Sequence, residues 1–338
     1  MAKRTSKKKS DLSPSAIMDS VYAFREARVL LTAFELDLFT HIGDEWKSSE
    51  EAAHLAQTNA RATDRLLNAL CASGFLVKKK GKFSNTPHTS RFLVKGKPGY
   101  LGGLMHQVSL WKTWSTLTDA VLKGSSVIVH DPMVGSRVDW LEAFIAAMHM
   151  RAAHQAPAIV KLIDLKGVKR ILDVGGGSGV FSMAFVREKK RIHAIVFDLP
   201  NVISLTKRYI DAENLGSLIS VVGGDYTVDP LVNGIDLVFM SAIIHSNSPE
   251  INKQLFRKAF ESLNPDGRLL VLDYIMSDDR TSPAAGAYFS LNMLVGTREG
   301  DTFTESEVRS WMEDAGFKKI SKRKTQFGTE LITGIKKY

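Results

Sequence analysis

The residues from Arg170 to Phe185, RILDVGGGSGVFSMAF, constrain the fold more than any other stretch of this chain. An apolar, β-branched approach (Ile171, Leu172, Val174) runs into Gly175, Gly176, Gly177 and Gly179, and an apolar periodic segment follows. That order predicts a strand, a tight loop and the start of a helix. Glycines permit the positive φ values of such a turn and let amide groups approach a ligand, while the helix N-terminus adds donors and a favourable dipole.

Spacing narrows the ligand. A dinucleotide fingerprint of the form G-x-G-x-x-G/A would need a small residue at position 180, where Val180 stands, and no Gly-Lys-Ser/Thr phosphate loop is present. Asp173 lies two residues before the first glycine. Asp198 ends the next apolar run, Ile192 to Phe197, nineteen residues after Gly179. A carboxylate at such a strand end can accept from both hydroxyls of a ribose.

Beyond the loop, strand-like and helix-like segments alternate: IHAIVFDL, a helix over about 201–214, ISVVGGDY, IDLVFMSAII, a helix over about 250–262, then RLLVLDYIM. This rhythm predicts a doubly wound parallel sheet with helices on both faces, whose ligands sit at the carboxyl ends of the strands. Asp173, the glycines, Asp198, Asp225, His245 and Asp273 all fall at or near such ends, so they converge on one site.

Three motifs in order, LDVGGGSG, FDLPNVI (197–203) and GGDY (223–226), resemble the plant-type and bacterial S-adenosylmethionine-dependent O-methyltransferases, the caffeate and acetylserotonin O-methyltransferase-like family. The resemblance covers nearly the whole chain after its basic N-terminus. It implies an α/β fold, a Rossmann-like methyltransferase sheet closed by two antiparallel C-terminal strands, joined to an N-terminal helical winged-helix dimerisation domain. The expected organisation is a disordered basic tail (1–13), a winged-helix-like dimerisation domain (14–125), connecting helices (126–165) and a catalytic domain (166–338). S-adenosyl-L-methionine is the implied cofactor, held by Asp173, Gly175, Gly177, Gly179, Asp198, Asp225 and Tyr226, with the last two near the adenine.

The N-terminal half fits that organisation. From Ser15 to about Ile42, apolar residues recur at helical spacing on more than one face, predicting a helix packed on several sides. Ser48 and Glu51 form a capping box, a second helix over about 60–73 stops at Gly74, and FLVKKKGKFSNT (75–86) reads as a hairpin with its tip at Lys80, Gly81 and Lys82. Alone, helix, helix and hairpin could bind DNA, with the hairpin lysines on phosphates. In the resembled family the same unit serves dimerisation, and TPHTSRFL matches the stretch after the wing. Asp139 to Leu165 reads as one long amphipathic connector, with Pro157 as a point of bending.

Methyl transfer to a phenol asks for a base, because a phenol with a pKa of about 10 is barely ionised at neutral pH, and imidazole at about 6.5 suits the task. His245, in MSAIIHSNSPE, stands where the family has its general-base histidine, in a segment that usually reads His-Asp-Trp. The family's first orienting carboxylate is matched by Asp273, shorter than the usual Glu; Thr302 occupies the place of the second, and Ser241 that of a lysine in plant members. Read from the residues alone, His245 and Asp273 could also be a structural histidine and a strand-end carboxylate. Tyr288, Phe289, Met293 and Leu294 match the family's acceptor-pocket helix, and Met148 a methionine near substrate and cofactor, although at helical spacing the former serve equally as core, and Met148 and Met150 as flexible filler.

Composition sets the outer limits. Hydrophobic content of 44% with 24% charge is globular, and no apolar run reaches the length of a membrane span. The single Cys71 excludes an internal disulfide and reads as a small buried helix residue, making a reducing cytoplasm the default. Of the net charge of +9, the first eleven residues hold +4, leaving +5 over the other 327, a modest bias rather than a nucleic-acid footprint. His149 and His154 are five apart and no HExxH or Cys/His cluster exists, so no catalytic metal is expected. The expected protein is a cytoplasmic homodimer that methylates a hydroxyl of a small aromatic or quinol-like molecule. Two other readings are a non-methylating relative that binds the same cofactor and a winged-helix DNA-binding metabolite sensor.

Overall fold

A computed structural model describes residues 13–128 and 138–337. The expected basic tail therefore lies, Ser13 apart, outside the described residues. The described chain forms two compact units that divide between Val108 and Ser109.

The first unit contains helices α1 (Pro14–Tyr22), α2 (Phe24–Glu35), α3 (Leu38–Ile42), α4 (Ser49–Ala56) and α5 (Ala60–Ala72), strands β1 (Leu76–Lys79) and β2 (Lys82–Asn85), and α6 (Pro87–Leu93). The single helix expected from Ser15 to Ile42 is three. The chain breaks at Ala23, and again at Asp37, whose left-handed backbone (φ 55°) no helix can contain. Apolar residues on several faces reflect that turn: Phe34, Leu38, Phe39 and Ile42 enter the core with Leu67, Leu70, Leu76 and Phe83. Ile17, Met18, Val21, Tyr22 and Phe24 stay exposed. The capping box forms, with the Ser48 Oγ accepting from the Glu51 N–H and the Glu51 carboxylate accepting from the Ser48 N–H. At the hairpin tip Lys80 and Gly81 both have positive φ, as a two-residue turn requires. Lys78 donates to Asn68, and Lys82 lies 3.8 Å from a Glu51 oxygen, so half of the four hairpin lysines are turned onto the unit itself.

Helix α7 (Leu104–Trp114) carries the division. The second unit continues with α8 (Leu117–Lys123), α9 (Val138–Val160), β3 (Arg170–Val174), α10 (Val180–Glu188), β4 (His193–Asp198), α11 (Pro200–Ala212), β5 (Ile219–Gly223) and β6 (Ile235–Ser241). A 3-10 turn (Ile244–Ser246) leads to α12 (Pro249–Ser262), β7 (Leu263–Asp273), β8 (Ile275–Met276), α13 (Ala284–Gly296), β9 (Phe303–Thr304), α14 (Glu305–Asp314), β10 (Phe317–Lys324) and β11 (Glu330–Lys336). The expected connector is shorter than read: α9 ends at Val160, three residues past Pro157, which lacks the N–H that a helix interior needs.

Seven strands lie in the order β10-β11-β7-β6-β3-β4-β5, parallel from β7 to β5, with β11 antiparallel to both neighbours. Alternation fills both faces. Ile171, Leu237, Phe239, Leu270 and Leu272 pack under α9 and α10, while Leu172, Val174, Val238, Met240, Leu269 and Val271 pack under α12 and α14. Near-continuous apolar strands are what a parallel sheet buried on both faces demands. All carboxyl ends of the parallel strands meet on one edge, where the glycine loop begins.

Candidate active site

The glycine loop is shaped by contacts as much as by torsion. Gly175, Gly177 and Gly179 have φ of 64°, 56° and 73°. A Cβ on Gly175 would lie 2.1 Å from Ile243 Cδ1, and one on Gly176 within 2.9 Å of Asp173 and Val196. At Gly177 the nearest atom would be Ile145 Cδ1 at 3.7 Å, an ordinary contact, so a Cβ would fit there without a clash. Two helices hold the loop from outside. Thr206 Oγ1 of α11 donates to the Gly177 carbonyl at 2.6 Å, and His149 Nδ1 of α9 lies 2.9 Å from Ser178 Oγ with its ring stacked on Tyr209. His149, read in the sequence only as an unsuitable metal ligand, is thus a support of the loop; burial holds its pKa below the usual imidazole value.

Asp198 closes β4 beneath the loop. One carboxylate oxygen accepts the Gly177 N–H at 2.7 Å and the other the Leu199 N–H at 2.7 Å, leaving each a further lone pair. Asp173 is 1% exposed and accepts from Ser182 Oγ at 2.8 Å. Burial pushes its pKa up to about 7, with the Asp198 charge adding to the rise, and burial raises Asp198 as well. Two carboxylates taken from water with no cation among the described residues bonded to them suit a ligand that brings positive charge and hydroxyls. S-adenosylmethionine, with its sulfonium, its ammonium and its ribose, has that chemistry, so the residues present fit it.

Asp173 therefore gives a pH signature. Its folded pKa of about 7 lies above the ordinary 3.8, so the unliganded native protein keeps a proton that the unfolded chain releases. Stability should fall as pH rises from about 4 to about 7 and stay low above that. Asp173→Asn is expected to remove a decline on the order of 2–4 kcal/mol across that window. Urea denaturation of both proteins without cofactor, at pH 5 and pH 8, checks it; identical slopes would refute it.

His245 sits in the 3-10 turn after β6, 8% exposed. Its Nδ1 is 2.8 and 3.0 Å from the two oxygens of Asp273, which is 2% exposed at the end of β7 and also accepts the Tyr274 N–H. A carboxylate only accepts, so Nδ1 carries the proton and Nε2 presents a lone pair. Phe289 of α13 meets the imidazole edge to face at 4.7 Å. Among the described residues Asp273 is the one carboxylate bonded to His245. Thr302 turns to α13, its Oγ1 3.4 Å from the Gly286 carbonyl, and the neighbouring Asp301 is occupied by Ser290, Arg280 and the Thr302 N–H.

The turn is pinned by a buried polar chain that sequence reading did not find. Asn252, 0% exposed, donates to the Ile244 carbonyl at 2.9 Å and accepts from Asn247 Nδ2 at 3.0 Å, and Asn247 Oδ1 accepts from the Tyr226 hydroxyl at 3.0 Å. Tyr226 thus faces the histidine turn, with burial pushing its pKa up to about 12. Asp225 is turned onto its own loop, accepting from the Thr227 N–H and Oγ1. Asn252→Leu leaves the buried Asn247 amide without its acceptor and takes one of two donors from the Ile244 carbonyl, so a loss of about 1–3 kcal/mol is expected in urea denaturation.

The pocket residues separate. Met293 is buried, Met148 and Leu294 are half-buried, and Ile145, one turn before Met148 on α9, lies next to Gly177. Of the two adjacent aromatics expected on that helix, Tyr288 is 68% exposed and Phe289 reaches the imidazole. A helix advances about 100° per residue, so only one of two adjacent aromatics can face the histidine. No group of three or more His, Cys, Asp or Glu side chains among the described residues could hold a metal ion.

Comparison with known proteins agrees with this geometry. Residues 114–318 match the O-methyltransferase domain and residues 18–95 the O-methyltransferase dimerisation domain. The chain is 29% identical over 330 residues to the 3-hydroxy-5-methyl-1-naphthoate 3-O-methyltransferase of Streptomyces sahachiroi, covering 95% of this chain and 94% of that one. It is 26% identical to the acetylserotonin O-methyltransferase of Bos taurus, covering 92% and 94%. Among solved structures, PigF with SAH superimposes with a TM-score of 0.87 at 25% identity, covering 96% of this chain and 100% of that one. With the family's two domains in order and carboxylates suited to its methyl donor, the chain belongs to the O-methyltransferase family and is an S-adenosylmethionine-dependent methyltransferase.

Proposed function

We propose that this protein methylates a hydroxyl of a small aromatic or quinol-like acceptor, with His245 as general base and Asp273 as its orienting partner. The observation that carries the reading is the buried Nδ1–Asp273 pair, which leaves Nε2 as the proton-accepting nitrogen of a turn whose Ile243 packs at Gly175. When bound, S-adenosylmethionine supplies a methyl group activated on a sulfonium. Asp198 and Asp173 hold its hydroxyls and positive charge, and the loop glycines admit it. His245 Nε2 takes the acceptor's hydroxyl proton, and Asp273 stabilises the imidazolium that results. Phe289 and Met293, buried or half-buried on α13, exclude water on the acceptor side. Met148 and Leu294 complete that wall. The relatives' naphthoate and acetylserotonin acceptors support an aromatic substrate.

We further propose that residues 14–125 act in homodimerisation, supported by the match of 18–95 and by the exposed apolar residues of α1. Among the described residues no helix is long and apolar enough to cross a membrane, in keeping with action in the cytoplasm. Formation of S-adenosylhomocysteine with a panel of phenols, quinols and hydroxylated heterocycles tests the function. Acceptor-dependent product supports it, whereas tight cofactor binding with no transfer to any member would favour a non-methylating relative.

A further inference from the structure

Away from the methyl-transfer edge, the second unit has a cleft of about 480 Å3 between the end of α9 and the antiparallel part of the sheet. Register explains it. Leu270, Thr333 and Ser321 lie opposite one another across β7, β11 and β10, as do Leu272, Leu331 and Arg323. Arg268, two residues before Leu270, shares their face. The apolar layer under α9 and α10 reaches Leu270 and Leu331, and the cleft opens beyond them.

Arg268 is the unusual member. Its side chain is 16% exposed, yet it makes no hydrogen bond to any described residue. Its one opposing charge, Asp164, is 3.7 Å away and 73% exposed. Five N–H donors withdrawn from most of their water and given no acceptor are costly, and a guanidinium fork matches an oxyanion. Arg323, tethered through Nη1 to the Leu162 carbonyl, and Lys161 add positive charge to the same walls. Lys322 also lines the cleft but is engaged by Glu305 and Glu330. Arg268, Arg323 and Lys161 thus line the cleft, with one link from Arg323 to a carbonyl and one loose ion pair from Arg268 to the exposed Asp164, over a floor of Leu270 and Leu331.

We propose that this cleft is a binding site for an organic carboxylate, whose charged group pairs with Arg268 and Arg323 and whose apolar part lies on Leu270 and Leu331. The site is separate from methyl transfer: Arg268 precedes Asp273 by five strand residues, roughly 16 Å along β7. Asp164 tunes it by competing for the guanidinium.

Calorimetric titration of hexanoate, at fixed ionic strength and with the protein saturated by S-adenosylhomocysteine, tests the proposal. One saturable site is expected, with affinity at least tenfold lower in Arg268→Met, several-fold lower in Arg323→Gln and higher in Asp164→Asn. Circular dichroism melts establish that each variant is folded, and the exposed Arg323 and Asp164 allow the test even if Arg268→Met is not. Absence of saturable binding, or binding unchanged in these variants, overturns the site. Inorganic phosphate binding as tightly as hexanoate would overturn the role of the apolar floor.

Discussion

Replacing His245 by asparagine is expected to lower kcat by about 10²–10⁴-fold while leaving the affinity for S-adenosylhomocysteine unchanged. The loss follows from geometry. Asp273 fixes the imidazole by Nδ1, so all proton transfer to the histidine runs through Nε2, and an asparagine amide has no basic nitrogen to replace it. None of Asp173, Asp198 or the loop glycines is touched by the change, so donor binding is the internal control. The remaining rate should rise with pH toward the acceptor's own pKa, because ionised phenol no longer needs the base. Equal turnover by the two proteins would remove His245 from the mechanism.

Gly175→Ala is expected to cost about 2–4 kcal/mol of stability, from overpacking against Ile243 together with a left-handed backbone at a residue bearing a Cβ. The clash is with the segment that carries His245 two residues later, so the loop and the base turn should loosen together. Ile243→Val removes the Cδ1 atom that lies 2.1 Å from the added methyl and should restore part of the loss, leaving the backbone penalty. Gly177→Ala is the contrast. With nothing nearer than an ordinary contact to Ile145 at 3.7 Å it should cost only about 1 kcal/mol of stability, but a methyl on the loop that admits the cofactor should weaken S-adenosylhomocysteine binding. Urea denaturation with a binding titration separates the two; equal stability losses would refute the distinction.

The parallel half of the sheet was legible because each strand is a short apolar run ended by a residue suited to a strand end, and the topology then brings those ends to one edge. That logic brings Asp198, His245 and Asp273 to one edge, while the pairing of His245 with Asp273 is an expectation of the family resemblance. What escaped notice depends on partners distant in sequence. His149 meets Ser178 across 29 residues and Tyr226 meets Asn247 across 21, and neither pairing leaves a local periodicity. The break of α1, α2 and α3 escaped because Asp37 is no glycine, and a left-handed aspartate has no reliable sequence mark. The sequence could name Tyr288 and Phe289 together but not choose between them, because YF offers two adjacent aromatics and only packing turns Phe289 to the imidazole.

The position of β11 has a consequence for how the chain is made. It is the last strand in sequence but lies inside the sheet, between β7 and β10, where Glu330 pairs with Asp273 and Leu331 with Leu272. Until residues 330–336 leave the ribosome, β7 has an unpaired edge beside the future base site, and β10 has nothing to join. Such edges recruit other chains, and long-range pairing forms slowly. The basic side chains of β10, from Lys318 to Lys324, are of the kind that blunts pairing between exposed edges, and the arrival of β11 is then the event that closes the sheet.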